Sequence, residues 1–193
     1  MKKIKNNKIH FLKNSKGFTL VEVLVAISIF TFSVLALLVI LSQGISSTNS
    51  AKQKIIGTYL AQEGIEYVRN ARDNYMLFSI NGTWSDFTST KIIPCFLIDG
   101  CSFDDTITTP SLVVFSPCVS SGSAENQCEL YVNSNGKYHY INNGDSDSGF
   151  NRSITAVING DELTITSKVT WLQGSGAQSV SFTENLFNWS NSL

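Results

Sequence analysis

Gly17-Phe18-Thr19-Leu20-Val21-Glu22-Val23-Leu24-Val25-Ala26-Ile27-Ser28-Ile29-Phe30 divides this 193-residue chain into physically different parts. Residues 1–17 before the junction hold six lysines (Lys2, Lys3, Lys5, Lys8, Lys13, Lys16) and no acid. From Phe18 an almost unbroken apolar run continues to Leu41, with Glu22 as its one carboxylate. The formal net charge of −1 hides this split, because a chain starting at Phe18 has eight basic residues against fifteen acids. An acidic body lacks the basic footprint that sequence-blind nucleic-acid binding requires. It also lacks the composition of a polybasic membrane-surface module. Lysines ahead of an apolar helix instead hold that end in the cytoplasm.

Phe18–Leu41 comprises 24 residues, about 36 Å as a helix, enough to cross the ~30 Å hydrocarbon core of a bilayer. A secretory signal peptide has a shorter apolar core and is cut after it. Here Ser42-Gln43-Gly44 offers only a weak site of that kind. An acid within a span costs on the order of 3 kcal/mol and usually has a partner. Cleavage between Gly17 and Phe18 would create an α-amino group, protonated at neutral pH, one helical turn from Glu22. In an array of helices that amine can meet a neighbour's Glu22, and paired buried charges can fix an axial register.

Lys16-Gly17-Phe18-Thr19-Leu20-Val21-Glu22 resembles the prepilin-type cleavage and methylation motif of type IV pilins and type II secretion pseudopilins. The resemblance implies cleavage after Gly17 by an inner-membrane prepilin peptidase and N-methylation of Phe18 by the same enzyme. It also implies packing of the helix beside other pilin or pseudopilin subunits, with Glu22 setting assembly register. An assembly ATPase and an inner-membrane assembly platform are the further partners it implies, with no cofactor. The chain would sit in the bacterial inner membrane as a single pass, N-terminus cytoplasmic and head outside, before entering an extracytoplasmic filament.

Beyond the apolar run, Ser42–Ser50 is polar and weakly helical. It reads as a helix leaving the membrane or, as in some filaments of this family, a segment that melts on assembly. Helical spacing returns from Ala51 to about Tyr75, where Ile56, Leu60, Gly64, Val68, Ala71 and Tyr75 recur every three or four residues, joined by Tyr59 and Tyr67. Gly64 costs about 1 kcal/mol in a helix relative to alanine, and close approach of a strand would be its reason. Met76–Ile80 and Thr83–Phe87 around Asn81-Gly82 read as a hairpin with a primed turn. Residues 91–128 read as an irregular loop. Glu129–Val132, Lys137–Ile141, Arg152–Ile158, Asp161–Trp171 and Ala177–Phe187 read as strands, with turn signals at Asn135-Gly136 and Asn159-Gly160.

The expected fold is α+β and type IV pilin-like: a long N-terminal helix, membrane half plus amphipathic half, packed on a C-terminal antiparallel β-sheet. Its segments are a cleaved leader 1–17, a transmembrane or filament-core helix 18–41, an amphipathic helix 42–75, and a β-rich head 76–193. Residues 61–73 resemble PilV-type minor pilins. Phe150–Ile154, the strand ending at Trp171 and the Leu186-Phe187-Asn188-Trp189 tail resemble the C-terminal sheets of PilV- and GspI-type proteins.

Cys95, Cys101, Cys118 and Cys128 are even in number and follow the span, which reads as disulfides in an extracytoplasmic domain. Local pairing, 95 with 101 and 118 with 128, is favoured among three connectivities. A zinc site would want tighter spacing or a nearby histidine, and His139 is the only one after the leader. In Asn143–Gly149, Asp145 and Asp147 are weak calcium candidates, because the glycine comes late for an EF-hand and Ile154 stands where a closing Glu is needed. A solvated turn explains the segment as well. Three Asn-x-Ser/Thr sequons are chance matches in a bacterial chain. Glu63/Glu66 and Asp104/Asp105 fit a helix surface and a loop, and Trp84, Trp171 and Trp189 fit packing positions. No nucleophile stands with a base, so the chain is not expected to be an enzyme. A minor pilin or pseudopilin is the first reading. The alternative is a tethered or tip-located adhesin using the Cys-containing loop.

Overall fold

The computed structural model describes residues 17–80, 82–103, 114–118, 128–174 and 176–189. The leader before Gly17, Asn81 of the expected turn and the acids Asp104 and Asp105 lie outside them. The helices are α1 (Leu20–Phe78) and α2 (Trp84–Asp86). The strands are β1 (Cys101–Phe103), β2 (Phe115–Pro117), β3 (Glu129–Val132), β4 (Tyr138–His139), β5 (Ser146–Asn159), β6 (Glu162–Gln173) and β7 (Gly176–Phe187). The chain forms two compact units, Met1–Thr48 and Asn49–Leu193.

In the first unit the described side chains are all exposed. Three hydroxyls in its apolar run bond to the helix's own carbonyls: Ser28 donates to Val25 at 2.8 Å, Thr31 to Ser28 at 2.8 Å and Ser33 to Ile29 at 2.8 Å. That self-sufficiency suits a helix with no water to bond to. Among the described residues, α1 is the one helix long and apolar enough to cross a membrane. The Ser42–Ser50 segment is helical.

In the second unit a long helix packs on an antiparallel sheet, as the sequence leads one to expect. The buried face of α1 is Gly57, Leu60, Ala61, Gly64, Ile65, Val68, Ala71, Arg72 and Tyr75. Gly57, Ala61, Gly64, Val68, Ala71 and Tyr75 alternate steps of four and three, the spacing of a narrow helical seam. Tyr59, assigned to this stripe by its spacing, is 68% exposed; one residue too far round the wheel, it faces outward. Tyr67 lies at the edge and stacks on Phe103 with ring centroids 3.7 Å apart.

β5, β6 and β7 form a meander, registered Phe150↔Trp171 to Asn159↔Glu162 and Glu162↔Phe187 to Gln173↔Gly176. The other edge of β5 carries β3 at Leu130↔Phe150 and β1 at Cys101↔Ile154. β4 continues from β3, and β2 from β1. The period-2 pattern buries Phe150, Arg152, Ile154 and Ala156 of β5 and Leu163, Ile165, Ser167, Val169 and Trp171 of β6. At the two glycines of the helix seam the sheet leaves no room for a side chain. A Cβ on Gly57 would lie 2.8 Å from Trp171 Cζ3, and one on Gly64 would collide with Ser167 Oγ and come within 3.2 Å of Ser167 Cβ. Gly64→Ala is therefore expected to lower head stability by about 1–3 kcal/mol through overpacking, against a helix-propensity gain of about 1 kcal/mol. Gly44→Ala, whose Cβ meets nothing within 4 Å, serves as the control. Denaturant unfolding followed by tryptophan fluorescence checks this, and equal midpoints for the two variants would refute the close-approach argument.

Several boundaries differ from those read in the sequence. The expected hairpin at Met76–Phe87 is absent: α1 continues to Phe78, and α2 is followed by a π-helical turn at Phe87–Lys91. Trp84 and Phe87 are both buried, and residues three apart share a side on a helix but point to opposite faces of a strand. Thr83 caps the turn by accepting from the Asp86 N–H at 3.1 Å, and Tyr75 donates its hydroxyl to Asp86. That bond, with burial second, raises the Tyr75 pKa. The loop 91–128 holds β1, β2 and a 3-10 turn at Ile93–Phe96. β5 begins at Ser146, six residues before Arg152, because a bulge between Leu130 and Tyr131 lets β3 pair as far as Ser146. The Lys137–Ile141 strand shrinks to Tyr138–His139. At the β5–β6 turn, Asn159 still pairs with Glu162, so the central residues are Gly160 and Asp161. Gly160 at φ 63° takes the first central position, as a type II′ turn requires.

Candidate functional site

The segment expected to be processed holds a helix cap. Thr19 precedes α1, and its Oγ1 accepts a hydrogen bond from the Glu22 backbone N–H at 3.3 Å. Its carbonyl accepts from Val23 N at 3.2 Å. Thr19-x-x-Glu22 thus has the spacing of a capping box, and Glu22 is the acid of the first helical turn. A negative charge there also complements the helix dipole. The sequence reading missed this local role, although the Thr-x-x-Glu signal was legible. Gly17 and Phe18 lie just outside the helix and are exposed, Phe18 by 78%. A cut between them would leave a free amine one residue before the cap and one helical turn from the Glu22 carboxylate.

In the head, Cys95 is bonded to Cys101 and Cys118 to Cys128, with Cα separations of 4.6 and 5.4 Å. All four cysteines are buried. The first bridge ties the 3-10 turn to β1, and the second closes the chain from the end of β2 to the start of β3. In the chain-entropy account each such loop is worth about 2–3 kcal/mol. Asp145 Oδ2 lies 3.0 Å from His139 Nε2, and Asp147 Oδ1 accepts from the Gly149 N–H at 2.8 Å. These carboxylates of the calcium candidate segment are thus engaged by an imidazole and a backbone donor. No group of three or more His, Cys, Asp or Glu arranged for a metal occurs among the described residues. Trp84 and Trp171 are core residues, while Trp189 is half-buried with its indole nitrogen 3.4 Å from Asp73.

The most deeply buried charged side chain among the described residues is Arg152, 1% exposed. Its guanidinium donates to the Leu60 carbonyl at 3.0 Å, to Glu63 at 2.7 Å and to the Tyr140 hydroxyl at 2.7 Å. Its Cζ lies 4.5 Å from the Phe103 ring centroid and 4.8 Å from that of Tyr140. Burial works against the cation, but Tyr140 and Glu63 outweigh it, and the pKa is raised. Gly64 lies beside it, since a Cβ there would stand in ordinary contact with the Arg152 Cδ at 3.5 Å. Sequence alternation hinted at this residue, which stands at an inward position among Phe150, Ile154 and Ala156. Its partner lay 89 residues away and gave no local signal. Arg69 fastens the edge strand by pairing with Glu184 of β7, the main cause of its raised pKa.

Residues 12–38 match the family model described as the prokaryotic N-terminal methylation motif. The chain carries a prokaryotic N-terminal methylation motif. No curated protein and no solved structure matches the chain. The match and the helix-on-sheet head are consistent with a type IV prepilin-like protein. The motif implies processing by prepilin peptidase and assembly with other pilins. Motif and apolar helix together are consistent with anchoring in the inner membrane. The matched segment contains Gly17, Phe18, Thr19 and Glu22, so the expected cleavage point, the cap and the acid fall within one continuous unit.

Proposed function

We propose that this prepilin-like chain is a minor pilin or minor pseudopilin, cut after Gly17, methylated at Phe18 and inserted into a type IV pilus-like filament through its N-terminal helix. Its work is mechanical rather than enzymatic: anchor, register and presentation of a head. The peptidase, an assembly platform and neighbouring subunits are its partners, with the head outside the inner membrane before extraction. The observation that carries this reading is Glu22, held in the first turn of a capped helix directly after the Gly17–Phe18 junction. A second reading, a tethered or tip-located binding module, draws on Leu97 and Ile98. These apolar side chains are 53% and 97% exposed inside the Cys95–Cys101 loop.

The cap found at Thr19 makes the choice of variant matter. Glutamine can serve a capping box nearly as well as glutamate, but it cannot pair with a neighbour's amine. Glu22→Gln and Glu22→Ala are both expected to be inserted and cleaved normally, yet to fall at least tenfold in the sheared filament fraction measured by immunoblot. Wild-type incorporation of Glu22→Gln would show that Glu22 serves only the cap and would remove the register argument.

A further inference from the structure

The sheet of the second unit ends differently on its two sides. On one side the outermost strands are short, β2 of three residues and β4 of two, which is one way to blunt a sheet edge. On the other side β7 is twelve residues long, and it pairs in unbroken register with β6 and with no other strand. Among the described residues, no backbone group bonds to its outer edge between Gly176 and Leu186. β7 has no proline, no lysine and no bulge, the other devices that close an edge to strangers. Its one charge, Glu184, is held by Arg69 of its own helix. An edge of this kind is a template for one more strand.

The residues of β7 fit a second β7. Directly opposed residues of antiparallel strands point to the same face, which leaves two registers in which the strand overlaps itself most fully. Centred on Phe182, the register sets Val180 against Glu184 and Gln178 against Leu186, apolar against polar. Centred on Ser181, it sets Val180 against Phe182, Ser179 against Thr183 and Gln178 against Glu184, each beside its own kind. The Ser181 register also brings opposite charges together. Gln178 and Lys54 line one open cleft of about 380 Å³, and Lys54 is exposed with no ion pair to a described acid. Opposed to Gln178, the Glu184 of a second copy stands at the mouth of that cleft, and the twofold axis repeats the approach. The two Glu184 carboxylates themselves stay about 20 Å apart along the strands.

We propose that β7 is a self-recognition edge, at which the heads of two copies of this chain join antiparallel about Ser181 into one continuous sheet. Such a contact is isologous and closes at two copies, whereas a filament grows through contacts that repeat head to tail. Set on the function proposed above, on which this placement rests, it joins subunits of two filaments and not neighbours within one.

The test is sedimentation equilibrium of the processed full-length chain in detergent, together with cysteine cross-linking. A reversible dimer is expected. Ser181→Lys sets two lysines face to face and is expected to raise the dimer Kd at least tenfold. Lys54→Gln is expected to raise it about fivefold. Val157→Lys, at an exposed position of β5, should leave it unchanged. Under mild oxidation Ser181→Cys is expected to cross-link to its own copy, since opposed Cα atoms lie about 4.5–5.5 Å apart. Ser179→Cys and Thr183→Cys are not, since each would stand about 13 Å from its equivalent. A monomer at every concentration would overturn the proposal. A dimer that Ser181→Lys leaves intact would overturn it in favour of association through the apolar span. Self-cross-linking at Ser179 or Thr183 as readily as at Ser181 would overturn the register that carries it. Gly17→Ala and Glu22→Gln, which test the proposed function, lie far from β7 in the chain, so the two readings fail separately.

Discussion

With Gly17 replaced by alanine, the chain is expected to accumulate with its lysine-rich leader attached and to disappear from filaments. Gly17 is exposed, and a Cβ built there meets nothing within 4 Å. The substitution therefore leaves the folded chain undisturbed, and the loss arises at the processing enzyme. The consequence extends beyond the leader. Without the cut, the Phe18 nitrogen stays an uncharged amide, and no new cation appears one turn from Glu22. Six lysines would also remain joined to the helix that has to leave the cytoplasmic side. Gly17→Ala should thus reproduce the filament defect of Glu22→Gln while differing from it in mass. N-terminal sequencing and intact mass measurement check the first point. Recovery of a chain beginning at Phe18 from Gly17→Ala cells would sink the peptidase assignment.

The second large effect is expected in the head. Arg152→Ala should cost about 3 kcal/mol, near the lower end of what breaking a buried ion pair costs. Glu63, left behind, is half-exposed and can be rehydrated, which keeps the cost from rising further. The loss has three sources. The Tyr140 hydroxyl loses the guanidinium bonded to it at 2.7 Å. A void opens beside the Phe103 and Tyr140 rings. The sheet also loses its direct tie to the Leu60 carbonyl of the helix. Glu63→Gln should cost about 1 kcal/mol or less, since a partly exposed partner is screened by water. A raised folded pKa means that stability from the Arg152 cation is fully present below the ordinary arginine range and is lost only as pH rises through the still higher folded value. The Arg152→Ala deficit should therefore not vary between pH 6 and 9 through titration of Arg152 itself. Urea unfolding of the full chain in detergent, followed by tryptophan fluorescence at both pH values, measures this. An unchanged midpoint for Arg152→Ala would show that the helix–sheet contact stands without the cation.

The sequence reading was most complete where interactions are local. The junction at Gly17, the apolar span and Glu22 are contiguous, so their chemistry is visible without a fold. Long strands were legible because alternation in Leu163–Trp171 or Phe150–Ala156 is set by burial on one face. Met76–Phe87 was misread because an Asn-Gly pair is a strong local turn signal, while the outcome depended on Phe87 and Trp84 sharing one side under Tyr75. Short β1 and β2 were missed for a similar reason, since three-residue strands carry no usable period.

By itself the amino-acid sequence determined the N-terminal half of the α1 story: a basic leader, a methylation-motif junction, a Thr-x-x-Glu pair and an apolar run with one acid. These features are carried by one contiguous stretch of chain. Tertiary structure alone decided that Gly57 and Gly64 bring the sheet against the helix and that Arg152 bridges the two through Leu60 and Glu63. The physical reason is distance along the chain. Those partners are separated by tens of residues or more, and only packing, with the burial it imposes, selects which of them meet.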